Sequence, residues 1–168
     1  MAPRYPRCLI IAGSIKDATP SGLPSWKPAT REANVDDAVA RATKWLRLWE
    51  RQINEGDYQG ARDLFSPNVL SFGTIAPEMK GLEQLESRQW RIVWPAIRDF
   101  SFGEPAILAP SAGSDVVVIA SWNSLGRDGR QWYARRGRCT LVLREEAGGL
   151  RCIHSHFSME PGIDPLRD

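Results

Sequence analysis

The chain has 168 residues, 42% of them hydrophobic and seven of them tryptophan, which is enough for one core of domain size. Its 22 basic and 20 acidic residues leave a formal net charge of +2. This balance argues against a protein that is drawn as a whole onto nucleic acid or an anionic membrane surface.

The cysteine spacing and the hydropathy of the chain argue against further classes of protein. Cys8, Cys139 and Cys152 show neither C-x-x-C spacing nor a dense framework, so a disulfide scaffold or a structural zinc site is not expected. Since no apolar run approaches the ~20 residues of a membrane helix, we expect no membrane partner. The apolar run at 8–12 is short even for a signal peptide, and we expect a cytoplasmic protein.

Residues 1–34 contain five prolines among glycine, serine and threonine, and they show neither helical nor alternating periodicity. We expect a flexible extension, followed by one domain over residues 35–160 and a tail over residues 161–168. Basic residues precede the first acidic one, Asp17, so an organelle-targeting segment is an alternative for this stretch.

Apolar residues recur at spacings of three and four in the next segment, which predicts an amphipathic first helix. Asn34 or Asp36 can cap its start, and Gly56 can end it. The apolar stripe consists of Val39, Ala42, Leu46, Trp49 and Ile53.

Two further helices are predicted before the main part of the sheet. An aspartate suited to N-capping opens the second helix, residues 57–65, and Pro67 closes it. A strand over residues 69–74 follows. The third helix covers residues 81–97 and is bent or stopped near Pro95.

The remainder of the chain reads as antiparallel strands separated by turn residues, which makes the fold class α+β. The four runs are residues 100–108, 115–125, 131–144 and 150–159. In the second run both alternating sets of side chains are apolar, so both faces of the strand need cover. Helices can cover only one face. The other face lines a closed pocket or meets a second subunit, which is our reason to expect a homodimer.

Short segments around the first two helices and in the later strands occur in a characteristic order: residues 53–58, 61–65, 72–74, 120–122, 137–144 and 154–158. In this order they resemble the SnoaL-like branch of the nuclear transport factor 2 superfamily. The resemblance implies a curved antiparallel or mixed sheet packed on about three helices, a cone-shaped pocket and a dimer. The family hosts isomerases, cyclases, dehydratases and proteins without known chemistry, so the fold does not fix the function.

Ketosteroid isomerases of this fold need an aspartate base and a tyrosine with a protonated aspartate at the oxyanion. Matched through Gly56 to Gly60, their tyrosine falls on Trp49 and their base on Gly73. Their oxyanion aspartate falls near Cys139 or Thr140. Because tryptophan and glycine cannot supply these groups, steroid isomerase chemistry is disfavoured.

His154 and His156 are the only histidines, and on a strand they project from one face with Cα atoms ~7 Å apart. They are our candidate catalytic residues, one imidazole acting as general acid or base beside the other. A structural role in the sheet or a dimer contact is the alternative, because the isomerase pocket positions correspond to Ser155 and Phe157 on the opposite face. Cys152 on the histidine face would offer a third metal ligand, but we expect no metal and no cofactor.

Ligand-binding residues are predicted from bulky aromatic side chains and one arginine. A five-residue turn over residues 145–149 would pair Arg144 with Leu150 and place Arg138 opposite His156, in a cluster suited to an anionic ligand. Indoles would line the pocket wall and favour flat apolar ligands. The predicted ligand-binding set is Trp45, Trp49, Trp122, Arg138, Ser155 and Phe157.

These features predict a small-molecule-binding pocket protein that could be an isomerase, cyclase or lyase acting on a small apolar or polyketide-like substrate. The alternative is a noncatalytic ligand-binding or oligomerisation module, similar to the association domain of calcium/calmodulin-dependent kinase, whose last strand also carries paired histidines. Neither hypothesis involves a nucleic-acid partner.

Overall fold

The first helix, α1, covers Arg31–Glu55 in the computed structural model, which describes residues 31–109, 115–146 and 148–161. The helix begins at Arg31 and not at Asn34 or Asp36, so the predicted caps are wrong. Its apolar stripe is buried as the periodicity indicated, with Leu46 fully inaccessible and Trp49 3% exposed. The predictions for residues 1–30 and 162–168 lie outside the described residues. None of the described helices is both long and apolar enough to cross a membrane.

The second helix, α2, covers Tyr58–Asp63, and Asp57 caps it by accepting a hydrogen bond from the Gly60 N–H at 2.9 Å. Pro67 does not close this helix, because strand β1, Phe65–Phe72, already begins before it. A proline is tolerated there because the pairing of β1 with its neighbour is irregular between Phe65 and Leu70, so no ladder hydrogen bond is lost.

A two-residue strand, β2 (Met79–Lys80), leads into the third helical segment, residues 82–96. β2 is too short to show an alternating pattern, and the sequence did not predict it. The segment is an α-helical turn (Leu82–Leu85), a π-helical turn (Glu86–Trp90), a further α-helical turn (Arg91–Val93) and a 3-10 turn (Trp94–Ala96). Pro95 lies in the 3-10 turn, where the helix was predicted to bend or stop.

The remaining strands are β3 (Ile97–Phe102), β4 (Ala106–Leu108), β5 (Val116–Asp128), β6 (Gln131–Glu146) and β7 (Gly149–Met159). The predicted single strand over residues 100–108 is therefore two strands. Both pair with β5, and they separate at residues 103–105, where Pro105 has no N–H to donate to a ladder.

The strands form one seven-stranded sheet in the order β2-β1-β7-β6-β5-β3, with β4 also on β5. β1 and β7 are parallel, whereas the other pairs are antiparallel, so the sheet is mixed. The α+β class with a mixed sheet is confirmed.

The two faces of the sheet differ in burial, and β5 shows this most clearly. Val118 and Trp122 are at most 3% exposed on the inner face, which packs against α1 and the third helical segment. Ile119 on the outer face is 42% exposed. The helices of the described residues thus cover one face only, as the sequence predicted.

Side chains of α1 also bind the backbone of β3 and hold the helix against the sheet. Asn54 donates to the Phe100 carbonyl at 2.8 Å and accepts from its N–H at 2.9 Å. Glu50 accepts from the Phe102 N–H at 2.8 Å, and Arg47 donates to the Phe102 carbonyl at 3.0 Å. These bonds satisfy edge groups of β3 that would otherwise need water.

Glu86 ties α2 to the third helical segment. Its carboxylate accepts hydrogen bonds from Arg62 at 2.5 Å and from Arg91 at 2.6 and 2.9 Å, and its side chain is 12% exposed. Burial alone would raise the pKa of Glu86, but the two guanidinium groups outweigh it and hold this pKa below its ordinary value of 4.5.

Replacing Glu86 by glutamine should lower stability at neutral pH. A depressed carboxyl pKa stabilises the fold above the unfolded pKa, and this contribution is lost as the pH falls through about 4.5 and below. We therefore expect Glu86→Gln to lower the denaturation midpoint at pH 7 and to approach the unmodified protein below pH 4. Glu83→Gln, which removes the 84%-exposed partner of Arg62, is the control and should have a smaller effect. An equal effect of both variants at pH 7 would contradict this account.

Gly137 of β6 allows the Trp122 indole to lie flat on the inner face. A Cβ at Gly137 would lie 2.5 Å from Trp122 Cζ2 and 2.0 Å from the Ser158 carbonyl oxygen. The indole N–H donates to the Arg138 carbonyl at 3.2 Å, which fixes the ring in this position.

Gly137→Ala should therefore destabilise the protein by about 1–3 kcal/mol through overpacking. Ala134→Val on the same strand adds carbon atoms at an exposed position and should change stability by no more than about 0.5 kcal/mol. Urea denaturation followed by tryptophan fluorescence measures both. A Gly137→Ala protein as stable as the control variant would show that the close approach is not tight.

Candidate functional site

A cavity of about 50 Å³ lies between the inner face of the sheet and the helices. This volume by itself holds a few water molecules, so a ligand with one aromatic ring needs the side chains of the wall to move apart slightly. Every layer of the fold contributes to its wall: α1, the end of β1, the third helical segment, and strands β3, β5, β6 and β7.

Aromatic residues make up seven of the 17 residues that line this wall. Trp49 contacts Phe157 edge-on at 5.6 Å between ring centroids, and Trp90 stacks on Trp94 at 5.0 Å. Trp122 stacks on Phe100 at 6.2 Å from the other side. Such a wall favours a flat and largely apolar ligand.

Polar groups gather at one part of the wall. The Thr74 hydroxyl oxygen lies 3.3 Å from Gln89 Nε2 and 3.4 Å from Arg135 Nη2. Ser71 and Ser155, paired across β1 and β7, have hydroxyl oxygens 2.6 Å apart, and both residues are 2% exposed. One O–H of this pair lies between the two oxygens, so the other remains able to donate to a ligand.

Two buried polar atoms of the wall have no hydrogen-bond partner among the described residues. They are the indole N–H of Trp49 and the Oε1 atom of Gln89. Buried polar atoms without partners cost free energy, so both are able to contribute a hydrogen bond to an occupant of the cavity.

Gly73 lies in the cavity wall where the resemblance places the isomerase base. A Cβ at Gly73 would lie 2.3 Å from Gln89 Oε1, so the Gln89 side chain occupies the space that a larger residue at this position would need. Trp49, the position of the isomerase tyrosine, also lines the cavity.

Four members of the predicted ligand-binding set meet at this cavity: Trp49, Trp122, Ser155 and Phe157. Trp45 is buried beside them, but it packs on Trp49 and Phe65 in the core and donates its N–H to the Leu64 carbonyl at 3.3 Å.

The predicted catalytic histidines lie on the outer face of the sheet, away from the cavity. Their rings pack edge-on against Phe72, with centroids 5.6 Å away for His154 and 5.7 Å for His156. His156 is exposed and His154 is half-buried. No acid–base partner from the cavity wall reaches them, and their catalytic role stays a prediction.

Cys152 does not share the histidine face, so this part of the metal hypothesis is wrong. The pairing of β6 and β7 shifts at Ile153, because Val142 pairs with His154 whereas Leu143 pairs with Cys152. This bulge inserts one residue and turns Cys152 to the inner face, where it is fully buried. In the described part of the chain, no three His, Cys, Asp or Glu side chains are placed to hold a metal ion.

Burial also makes the two inner-face thiols poor nucleophiles. It raises the pKa of Cys139 to about 12, and it raises the pKa of Cys152 further. Both cysteines therefore behave as small apolar core residues, as the sequence indicated.

Arg138 lies opposite Ser158 and not opposite His156, so the predicted pairing is wrong. The β6–β7 pairing continues to Glu146 and Gly149, which makes the turn shorter than the five residues assumed, and the bulge at Ile153 adds a second shift. Gly148 and Gly149 have φ angles of 98° and 136°, which suit a tight turn. Arg138 is exposed and borders a broad groove of about 650 Å³, which also includes Arg136 and Asp99.

Sequence reasoning missed Arg135, Gln89 and Thr74 as site residues. The strand pattern could have found Arg135, because it alternates with Cys139 and Leu141 on the apolar face of β6. No local signal marks Gln89 or Thr74, since their roles depend on how the third helical segment packs over the sheet.

Solved structures with the same fold share little sequence with this chain. A nuclear transport factor 2-like superfamily protein from Salmonella enterica is 18% identical, with a TM-score of 0.66 over 80% of this chain and 99% of that one. A proposed dehydratase of this superfamily from Streptomyces avermitilis is 16% identical, with a TM-score of 0.65 over 75% and 98% of the two chains. A proposed calcium/calmodulin-dependent protein kinase II association domain from Xanthomonas campestris is 17% identical, with a TM-score of 0.61 over 81% and 93%.

These similarities show a common fold and no more. None of the curated proteins matches the chain by sequence. The family model for the SnoaL-like domain matches residues 30–161, which include all the elements that form the cavity. The chain therefore belongs to the SnoaL-like domain family, which the sequence resemblance indicated.

Proposed function

We propose that this protein binds a small, flat, largely apolar molecule in the cavity and that the cavity itself performs no acid–base catalysis. The observation that carries this proposal is the chemistry of the wall. Among the lining residues that the structure describes, Arg135 alone has an ionisable side chain, and an arginine is not a base at neutral pH.

The isomerase, cyclase or lyase hypothesis is less well supported. Isomerisation and elimination each require a group that accepts a proton near neutral pH. The position assigned to such a base is Gly73, and both histidines lie on the other face of the sheet. The proposed dehydratase from Streptomyces avermitilis shares the fold, but at 16% identity this likeness assigns no activity to the present chain.

A variant that fills the cavity tests the binding proposal. Val93 lines the cavity, whereas the adjacent Ile92 is 57% exposed on the other side of the same turn. We expect benzene-like one-ring probes to raise the melting temperature of the unmodified protein and of Ile92→Phe, but not of Val93→Phe. A ligand at 100 times its Kd adds about 2.7 kcal/mol to stability, which is readily measured. A shift that survives in Val93→Phe would place the binding site elsewhere.

We also propose that two copies of the chain pair through the outer face of the sheet. The strand register places side chains in two rows across five neighbouring strands, β4, β5, β6, β7 and β1. The first row is Leu108, Val117, Val142, His154 and Leu70, and the second is Ala106, Ile119, Thr140, His156 and Phe72.

Exposure and size support a second copy as the occupant of this face. Leu108 is 54% exposed and Ile119 is 42% exposed, on neighbouring strands of the same apolar surface. The five strands are 3 to 16 residues long, and at ~4.8 Å spacing and ~3.3 Å per residue they give roughly 800 Å². A standard interface buries about 800 Å² on each partner, so the face is large enough for a stable dimer. In such a dimer, His154 and His156 would lie in the contact between the two copies and would contribute to assembly.

Ile119→Arg should convert the dimer to a monomer, because it places a charge at the centre of the apolar rows. Ile92→Arg introduces the same charge at a position on the helical side that is 57% exposed, and it should leave the dimer intact. Sedimentation velocity at about 20–50 μM distinguishes the two species. An unmodified protein that sediments as a monomer in this range would refute the pairing proposal.

A further inference from the structure

Arg135 is a buried cation in the wall of the cavity. It lies on the inner face of β6 opposite Ser124 of β5, and it is 8% exposed. A Cβ at Gly126 would lie 2.4 Å from Arg135 Cδ, so the arginine stem passes directly over this glycine. The backbone thus leaves a path for the guanidinium toward the interior.

The Arg135 guanidinium has no carboxylate partner within 4.0 Å among the described residues. Its contacts are a long one to Thr74 Oγ1 at 3.4 Å, one to Met159 Sδ at 3.9 Å, and the Trp122 ring at 5.5 Å. Seven other arginines pair with acidic side chains at the surface: Arg41, Arg47, Arg51, Arg62, Arg91, Arg98 and Arg144.

Burying a charge without a counter-ion costs considerable free energy. Burial lowers the pKa of the Arg135 guanidinium from its ordinary value, which reflects the same cost. A guanidinium carries five N–H donors, and the long Thr74 contact uses one of them poorly. The site is therefore incomplete without a ligand, since most N–H donors of the guanidinium have no acceptor and its positive charge has no counter-ion.

We infer that the cavity takes a small ring-bearing monocarboxylate, whose carboxylate oxygens bind the Arg135 guanidinium while the ring lies among the indoles. This inference rests on the proposed binding function and names its ligand class. One buried cation matches one negative charge, and the planar fork of an arginine matches the two oxygens of a carboxylate. The indole N–H of Trp49 and the free hydroxyl of the Ser71–Ser155 pair supply two more donors in the same wall.

Matched acid and amide probes test this inference. Benzoate and furan-2-carboxylate carry the charge, whereas benzamide and furan-2-carboxamide have nearly the same shape without it. We expect each acid to bind at least tenfold more tightly than its amide in titration calorimetry, because charge-assisted hydrogen bonds contribute ~1.5–3 kcal/mol.

Three substitutions separate binding from structure. Arg135→Gln should reduce the affinity for the acids to that for the amides and leave amide binding unchanged. Arg136→Gln, which removes the adjacent exposed arginine of the outer face, should change neither. Arg135→Met should melt at the same temperature as the unmodified protein or higher, since an unpaired buried charge is removed.

These experiments distinguish a failure of the carboxylate inference from a failure of the proposed binding function. Amides and acids that bind equally, with binding lost in Val93→Phe, would overturn the carboxylate inference and leave the binding function standing. If neither class binds, both proposals fall. A marked decrease in the melting temperature of Arg135→Met would show that the guanidinium serves the fold, which also overturns the inference.

Discussion

The packing of one indole, Trp49, on rings from three strands is the interaction on which the rest of the structure depends. Its ring contacts Phe65 of β1, Phe102 of β3 and Phe157 of β7 at centroid distances of 5.0, 5.6 and 5.6 Å. These strands lie in different parts of the sheet, so one side chain of α1 fixes the helix over the whole inner face. Trp49 also lines the cavity, which means that the core and the site share a wall.

Because the same rings form both the core and the cavity wall, few residues of the wall can be replaced by polar ones. Rings that bury large areas cannot be exchanged for acidic or basic groups without loss of core packing, since a truncated aromatic residue costs ~3–5 kcal/mol. Polar side chains are therefore possible only where the cavity wall is not part of the aromatic core. In this chain the polar positions are Arg135, Gln89 and the Ser71–Ser155 pair, each at the margin of the aromatic cluster.

Features that depend on many residues, such as the buried faces of helices and strands, were predicted correctly from periodicity. Features that depend on the pairing of single residues were not, because a single inserted residue changes the strand register. The stripe on α1 and the alternation in β5 each rest on four or more positions, so helix, strand and buried face followed from the sequence. The predicted site needed the register of β6 and β7 as well. The extra residue at Ile153 puts Cys152 on the face opposite the histidines, and this bulge together with the shorter turn moves the partner of Arg138 from His156 to Ser158, although both strands were predicted. Contacts between segments that are far apart in the sequence, such as Gln89 over Gly73, produce no local sequence pattern and so could not be predicted.

Gly73 and Gln89 show how one fold can keep a pocket while changing its chemistry. In the isomerase pattern a side chain at position 73 supplies the base, whereas here the glycine leaves room for an amide that reaches in from the helical segment. An amide offers hydrogen bonds at any pH but cannot remove a proton. The permanently charged guanidinium of Arg135 contacts the same Thr74 hydroxyl as this amide, so the two groups form one polar part of the wall that can orient a ligand. On the proposed binding function, these groups hold a ligand without a change in their own charge, because neither an amide nor an arginine titrates near neutral pH.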